Sequence, residues 1–515
     1  MAAGHVSGRQ LGPELPTAAL NSVLFETSRK LEASEDRVAR FLSLGETWEA
    51  LGYWLSTTSS STEVSRDHVV GELVLAISRI DKLISDQLNV ILHDPLVQRI
   101  ESTWRGLRHL TQQVADGDNV KIRLLDISWR ELSRDMDRAV EFDQSEIFDK
   151  VYTQEFGTPG GEPYGVLIGD YEVTIRRSAQ HKDDVGTLRG MSQVAAAAFA
   201  PFIVAASPEL FGLDSFRELE RPIDLTRTFG DATYTGWNSL RRIPDARFVG
   251  LTLPRMLMRR PWQDLGYRSD GFRFHEDSSI AGGGGLLWGN AAFALCEVLI
   301  RTFVENGWMA AIRGVSRDLE VGGIVTQLAQ DWHNTDKPGL ISKGSLEVQL
   351  TDDQELELSE LGFIPLIDCQ GTGFAAFYGN QSMQAWRQGG ASSRAATHLE
   401  VNAKLSSMLQ YIFCVSRFSH YVKVLARDRA GSYTTARQVQ DMLTNWLIKY
   451  ATANPGAPAD MQAKYPLRDA KVEVRDTPGA PGVYACVVHL QPHYQLDDLD
   501  TSVKLVTELY AGHEL

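Results

Sequence analysis

The amino-acid sequence predicts a mixed α/β protein in which helices flank mixed sheets. Short apolar stretches alternate with helical patterns between residues 150 and 385, as in folds whose strands and helices alternate along the chain. A long apolar stripe with helical spacing precedes this region, and three strand-like stretches close the chain. The 515 residues suffice for about three domains at roughly 150 residues each, and they need no disulfides to bury a core.

The first 66 residues predict a helical arm. Residues 1–16 have little periodicity, whereas the apolar residues that follow recur at helical spacing. The Ser/Thr-rich linker Ser56–Ser65 separates the arm from the rest of the chain. Short helices on a linker are marginal alone, so the arm docks either on a partner or on the chain's own core. The apolar face of its first helix consists of Leu20, Val23, Leu24 and Leu31.

A pair of helices is predicted after the arm. The first helix carries apolar residues spaced three or four apart, namely Ile77, Ile80, Ile84, Leu88 and Ile91. The sequence His93-Asp94-Pro95 ends it, with Asp94 placed to cap the second helix and Pro95 in its first turn. The second helix has a stripe of its own, formed by Val97, Ile100, Trp104, Leu107 and Val114. Both stripes predict faces that pack against something apolar.

The next stretch predicts the alternating region. Val120–Ile127 has the pattern of a strand, and a charged helix follows over Trp129–Phe142. Buried strands are predicted at Gly165–Ile168, Pro201–Ala205 and Phe248–Leu253, with helices at Asp184–Ala198 and Gly289–Asn306. This order favours a mixed sheet covered by helices.

Two charge features stand out in the central region. Arg255, Arg259 and Arg260 form a basic cluster, whereas residues 344–386 contain seven acidic residues and no Lys or Arg. Each feature is typical of a solvated face. Alternatively, the two could form ion pairs between subunits of an assembly.

The C-terminal region begins after Gln388-Gly389-Gly390. It predicts two amphipathic helices, Val401–Leu425 and Gln438–Tyr450, and three short strands, Lys471–Arg475, Val483–Leu490 and Val503–Leu509. A terminal strand can pair with a sheet in another chain. These patterns divide the chain into an arm (1–66), a central domain (67–385) and a C-terminal domain (386–515).

Composition excludes several classes of protein. The net charge of −15 argues against a general nucleic-acid binder, which needs a cationic face. The four cysteines lie far apart and form no metal-binding or redox motif. We find neither a secretory leader nor a stretch apolar enough for a membrane span, so we expect a cytoplasmic location.

The sequence contains no recognisable catalytic or cofactor site. The glycine-rich stretch Phe156–Gly165 lacks the Gly-Lys-Ser/Thr ending that binds phosphates. His275-Glu276-Asp277 offers three potential metal ligands, but adjacent side chains point in different directions and no HExxH motif follows. We therefore predict no enzyme, no metal and no cofactor. Helices on linkers, a terminal strand and opposite charge clusters are more typical of an assembly subunit.

Several blocks of the sequence resemble the large sheath subunit of bacterial type VI secretion systems. The resemblance is carried by Ile77–Leu110, Val120–Leu132, Phe156–Val173, Val415–Tyr433 and Leu490–Leu509. The similarity as a whole covers roughly residues 20–510. The resemblance implies a contractile-sheath-like fold with an N-terminal helical arm and a structural, non-enzymatic role.

The resemblance also implies a set of partners. Members of this family pair with a small sheath subunit, and the heterodimers stack as hexameric rings into a contractile tube. The tube surrounds an inner tube of hexamers above a baseplate, and its contraction propels the inner tube, spike and effectors into a target cell. A ClpV-type AAA+ ATPase then disassembles the contracted sheath.

The resemblance assigns expected roles to particular residues. The helix of Leu20, Val23, Leu24 and Leu31 would bind the ATPase. Strands exchanged between neighbouring protomers would include Val483, Val487, Val503, Leu505 and Val506. Arg255, Arg259 and Arg260 would form a charge patch between subunits. The alternatives are the sheath protein of a phage-tail-like contractile injection system, which lacks the small subunit and the ATPase, and an enzyme with an unrecognised α/β site.

Overall fold

The structure is a computed structural model. It describes residues 36–58, 65–158, 160–178, 181–264, 271–278, 284–315, 322–329, 344–369, 372–386, 403–428, 435–452, 454, 457–476, 483–493 and 503–510. Contacts divide the chain into two compact units, Met1–Asp86 and Gln87–Leu515.

The described part of the first unit is helical. It contains helical residues 36–43, helix α1 (Thr47–Thr58) and most of helix α2 (Arg66–Leu92). The guanidinium of Arg40 lies 5.4 Å from the ring centroid of Tyr53, which joins the first two segments. The boundary between the units falls inside α2.

Helix α3 (Pro95–Gln112) begins as the sequence predicts. The Asp94 carboxylate accepts hydrogen bonds from the backbone N–H groups of Leu96 (2.9 Å) and Val97 (3.3 Å), and Pro95 occupies the first turn. Gly106 lies so close to Phe293 that a Cβ atom there would clash with the ring. A glycine at this position therefore allows α3 to pack tightly against the core.

The strand predicted at Val120–Ile127 is absent. These residues form no ladder with any strand of the described chain. A strand needs a partner as well as a suitable sequence, and the described chain provides none here. Helix α4 (Trp129–Arg138) follows, begun by a capping box between Ser128 and Glu131, and a further helical stretch covers residues 146–156.

A six-stranded mixed sheet forms the centre of the second unit. The strands of this region are β1 (Leu167–Val173), β2 (Phe202–Ala206), β3 (Val249–Leu253), β4 (Met256–Leu257), β5 (Trp288–Gly289), β6 (Ile324–Val325), β7 (Ile364–Asp368) and β8 (Ala375–Phe377). The sheet order is β1-β2-β3-β7-β8-β6, with parallel pairing from β1 to β7 and antiparallel pairing beyond it. Strands β4 and β5 pair separately. The predicted mixed α/β class is confirmed.

Helices cover both faces of this sheet. They are α5 (Asp184–Ala198), α6 (Leu225–Phe229), α7 (Thr235–Arg241), α8 (Ala292–Asn306) and α9 (Asp352–Glu360). Side chains alternate along β2, so Phe202 and Val204 pack with α4 to α7 and α9, whereas Ile203 packs with α3 and α8. Each face of the sheet thus has its own apolar core.

A third core lies in the C-terminal region. Its elements are α10 (Leu409–Asp428), α11 (Ala436–Leu447), α12 (Ala459–Lys464), β9 (Leu467–Asp476), β10 (Val483–Pro492) and β11 (Val503–Tyr510). The three strands form an antiparallel sheet with β10 in the middle. On α10, Leu409 and Phe413 enter the core of the large sheet, whereas Phe418 and Val422 enter the C-terminal core. This helix therefore joins the two.

Candidate functional site

The predicted ATPase-binding residues Leu20, Val23, Leu24 and Leu31 lie outside the described residues. Nothing in the structure bears on this prediction. The remaining predicted residues are distributed over helix α2, the loops around the large sheet and the C-terminal sheet.

The apolar stripe of α2 is exposed. Ile77, Ile80 and Ile84 have 56%, 54% and 41% of their surface accessible, although the helical pattern predicts a buried face. An exposed row of isoleucines on one helix face is characteristic of an interaction surface. We call Ile77, Ile80 and Ile84 the α2 stripe.

Helix α3 also keeps one apolar face uncovered. Leu96, Ile100 and Trp104 are spaced four apart, so they share a face of the helix, and all three are exposed. The opposite side, with Gly106 and Leu110, is buried against the core. The second unit therefore presents its own apolar surface, which we call the α3 face.

Arg255 is bound within the chain. Its guanidinium donates two hydrogen bonds of 2.6 Å to the two carboxylate oxygens of Glu172 on β1, and it lies 3.7 Å from Glu347. Glu347 belongs to the acidic stretch. Arg255 of the basic cluster and Glu347 of the acidic stretch therefore form an ion pair within one chain. The interchain role expected for Arg255 stays a prediction.

Arg259 lies in a buried cluster with two carboxylates. Its Nε donates to Glu101 on α3 at 2.7 Å and its Nη2 donates to Glu276 at 2.9 Å. Burial alone raises the pKa of Glu101, but hydrogen bonds from Arg259 and Arg105 and their charges hold it below the ordinary value. Glu276 also lies 3.4 Å from His93. The cluster ties the loop that carries Glu276 to α3.

Arg260 is the exposed member of the basic cluster. The charge patch between subunits predicted for Arg255, Arg259 and Arg260 stays a prediction. The Arg259 cluster also includes one residue of His275-Glu276-Asp277, because Glu276 binds Arg259 and accepts from the backbone of Trp262 at 2.8 Å. Its carboxylate belongs to this cluster.

The predicted C-terminal strands form, and they pair with each other. Val487 on β10 lies opposite Val506 on β11, and Leu490 lies opposite Val503, in antiparallel register. Strand β11 has β10 on one side and no described strand on the other. Exchange of this strand between protomers is not tested by a single chain and stays a prediction.

The sequence did not predict a group of aromatic contacts around Lys423. Lys423 on α10 lies 4.8 Å from the ring centroid of Phe156, 4.9 Å from that of Phe199 and 5.3 Å from that of Tyr152. Phe199 adopts a left-handed conformation (φ 52°) at the end of α5. A backbone strain of this kind is sustained by surrounding contacts. We call these four residues the lysine cage.

The chemistry of the described residues offers little to a substrate. No group of three or more His, Cys, Asp or Glu residues within the described ranges could hold a metal ion. Burial raises the pKa of the Cys296 and Cys414 thiols to about 12, which makes them poor nucleophiles. A cavity beside Gln410 and His493 has a volume of about 20 Å³, room for about one water molecule. Among the helices described, none combines the length and apolar character needed to cross a bilayer.

Comparisons with known proteins identify the class. The family described as "EvpB/VC_A0108, tail sheath N-terminal domain" matches residues 75–384, and the family described as "EvpB/VC_A0108, tail sheath gpW/gp25-like domain" matches residues 398–509. The chain is thus a tail sheath protein.

Similarity to one curated protein narrows the class of this chain to a family. The type VI secretion system sheath protein TssC1 of Pseudomonas aeruginosa is 37% identical over 456 residues, which cover 88% of this chain and 89% of that protein. The chain belongs to the family of type VI secretion system sheath proteins. A chain of the anti-feeding prophage (AFP) baseplate, solved by cryo-EM, has a TM-score of 0.35 at 10% identity over 74% of this chain and 83% of that chain, which is too weak a likeness to define a fold.

Proposed function

We propose that this chain is the large subunit of a contractile type VI secretion sheath and acts as a structural subunit with no catalytic role. It pairs with a small sheath subunit, and the heterodimers stack as hexameric rings into a tube in the bacterial cytoplasm. Contraction of the tube propels the inner tube and spike into a target cell. The family membership over most of the chain is the observation that carries this proposal.

The exposed apolar faces support a role in assembly. An isolated protein gains nothing from placing the α2 stripe or the α3 face in water, because burial of each isoleucine is worth about 1.5–3 kcal/mol. A permanent partner accounts for both faces, since such interfaces are rich in apolar residues. We assign the α2 stripe to the contact with the small sheath subunit.

Two variants of α2 test this assignment. Ile80→Glu replaces an exposed stripe residue, whereas Ser78→Glu adds the same charge to a different face of the helix. We expect Ile80→Glu to weaken co-purification of the small subunit by about tenfold or more and Ser78→Glu to leave it unchanged, because tenfold corresponds to about 1.4 kcal/mol. Equal effects of both variants would contradict the assignment.

The arm carries a second, separable proposal. A ClpV-type ATPase recognises the helix of Leu20, Val23, Leu24 and Leu31 after contraction. Deletion of residues 1–31 is then expected to abolish co-purification of the ATPase and to leave sheaths intact in electron micrographs. ATPase binding that survives the deletion would refute this role for the arm.

A further inference from the structure

A cavity of about 20 Å³ lies where α10, α12 and the end of β10 meet. A volume of this size holds about one water molecule. The polar side chains that line it are those of Gln410 on α10, Gln462 on α12 and His493 directly after β10. Ala310 and Ala311 line it from the region matched by the tail sheath N-terminal domain, and the three polar residues lie in the region matched by the gpW/gp25-like domain. We call it the junction cavity.

Gln410 contributes an unpaired amide group to the junction cavity. The residue is almost completely buried, with 1% of its surface accessible. Its Oε1 accepts a hydrogen bond from Asn380 Nδ2 at 3.2 Å, whereas its Nε2 has no hydrogen-bonding partner within the described chain. An unpaired buried donor is costly, so proteins satisfy such groups with a protein acceptor or with an ordered water.

His493 contributes a second unpaired group. Its backbone N–H donates to the carbonyl of Pro466 at 3.0 Å, which fixes this residue next to the start of β9. Its Nε2 is buried and has no hydrogen-bonding partner among the described residues. Burial lowers the pKa of His493 below its ordinary value of 6.5, although a hydrogen bond to the backbone of Leu467 opposes this shift. The imidazole is therefore neutral at pH 7, and a neutral imidazole has one nitrogen that accepts a hydrogen bond.

Gln462 provides a third group for the same cavity. Its Nε2 donates to the carbonyl of Ala457 at 3.0 Å, which leaves its Oε1 as an acceptor. Because the cavity has room for about one water molecule, polar atoms of all three lining side chains lie within reach of the same molecule. A buried water in a protein makes about three hydrogen bonds, and this cavity offers that number of polar side chains.

We propose that the junction cavity binds one ordered water molecule that bridges Gln410, Gln462 and His493. The water accepts from Nε2 of Gln410 and donates to Nε2 of His493 and Oε1 of Gln462, so both unpaired nitrogens gain a partner. A bridging water of this kind is nearly as favourable as a direct hydrogen bond. It joins the first turn of α10 to α12 and to the end of β10, and the inference does not depend on the proposed function.

An experimental structure of the full-length chain, at a resolution that shows ordered waters, tests this proposal directly. We expect a density peak at about 2.7–3.2 Å from the amide of Gln410 and from Nε2 of His493. A cavity without such a peak would overturn the proposal. Side chains of Gln410 and His493 that turn to other protein partners would overturn it as well.

A double-mutant cycle tests the bridge in solution. Gln410→Met and His493→Phe each remove one partner of the water and keep a side chain of similar size. We expect the double variant to lose less unfolding free energy than the two single variants lose together, because the second substitution finds the bridge already broken. The expected coupling changes the unfolding equilibrium constant by a factor of about three or more, measured by urea denaturation. Losses that simply add would overturn the proposal.

His489 provides the matched control for this cycle. It lies on β10 four residues before His493 and does not line the junction cavity. Combining His489→Phe with Gln410→Met is therefore expected to give additive losses. Equal coupling of Gln410 to both histidines would show a general effect on the C-terminal sheet and would overturn the bridge.

Discussion

His420 is a buried histidine that joins α10 to the end of α5. Its Nε2–H donates to the carbonyl of Ala198 at 2.9 Å, and its ring packs between Phe156 and Phe199. Burial, reinforced by the charges of Arg417 and Lys423, lowers the pKa of His420 to about 4. The folded protein therefore holds this imidazole neutral.

This shift predicts a specific loss of stability in acid. The pKa is 6.5 when the chain is unfolded and about 4 when it is folded, so the contribution is fully present above pH 6.5 and is lost as the pH falls towards 4. The loss amounts to at most about 3 kcal/mol. We expect His420→Gln, which keeps a donor for Ala198, to reduce the fall in unfolding free energy between pH 6.5 and 4. Urea denaturation at several pH values measures it, and an unchanged pH profile would contradict the assignment.

Arg259 and Arg260 differ sharply in environment although they are adjacent. We expect Arg259→Ala to lower the free energy of unfolding by about 3–5 kcal/mol, because it leaves the buried Glu276 without its charged partner. Arg260→Ala, at an exposed position, is expected to cost about 1 kcal/mol at most. Thermal unfolding of both variants checks this, and a similar loss for the two would mean that the buried cluster contributes little.

Among the helices and strands, the sequence predicts those whose position depends on a local residue pattern. The helix pair, the cap at Asp94 and the strands β2, β3, β9, β10 and β11 all follow from periodicity and turn residues. Strands β4, β5, β6 and β8 were missed because two or three residues carry too little pattern to detect. The five-residue strand β7 was missed as well, and β1 extends over Leu167–Val173 where the prediction was Gly165–Ile168. The strand predicted at 120–127 was wrong for the described chain because strand formation depends on a partner.

Substitutions in strand β11 test whether this strand takes part in sheath assembly. Val506→Pro removes a backbone donor from the terminal strand, and Val506→Thr keeps that donor and a residue that favours strands. If β11 joins neighbouring protomers, the proline variant still binds the small subunit and forms no tubes, whereas the threonine variant forms them. Tubes from the proline variant in electron micrographs would rule out this use of β11.

The lysine cage connects the two regions that match separate sheath families. Lys423 lies in the region matched by the gpW/gp25-like domain, and Tyr152, Phe156 and Phe199 lie in the region matched by the N-terminal domain. Together with His420 it fixes α10 against the large sheet. The sequence could not reveal this contact, because Lys423 lies more than 200 residues after the three aromatic residues and shares no motif with them.

In the molecule as a whole, some charged residues that looked like interchain contacts are paired within the chain, and some apolar residues that looked buried are exposed. The basic cluster and the acidic stretch looked like matching patches between subunits, yet Arg255 and Glu347 meet inside one chain. The α2 stripe looked like a buried face, yet it is exposed. Charge and hydropathy patterns identify such residues, but they do not specify whether the partner lies in the same chain.

Electron microscopy of the chain co-expressed with its small sheath subunit tests whether this protein is a subunit of a two-component sheath. We expect hollow tubes of stacked hexameric rings that require both subunits. Rings or tubes built by this chain alone would indicate a one-protein sheath of the phage-tail type. A stable complex that never forms tubes would contradict a role in the sheath.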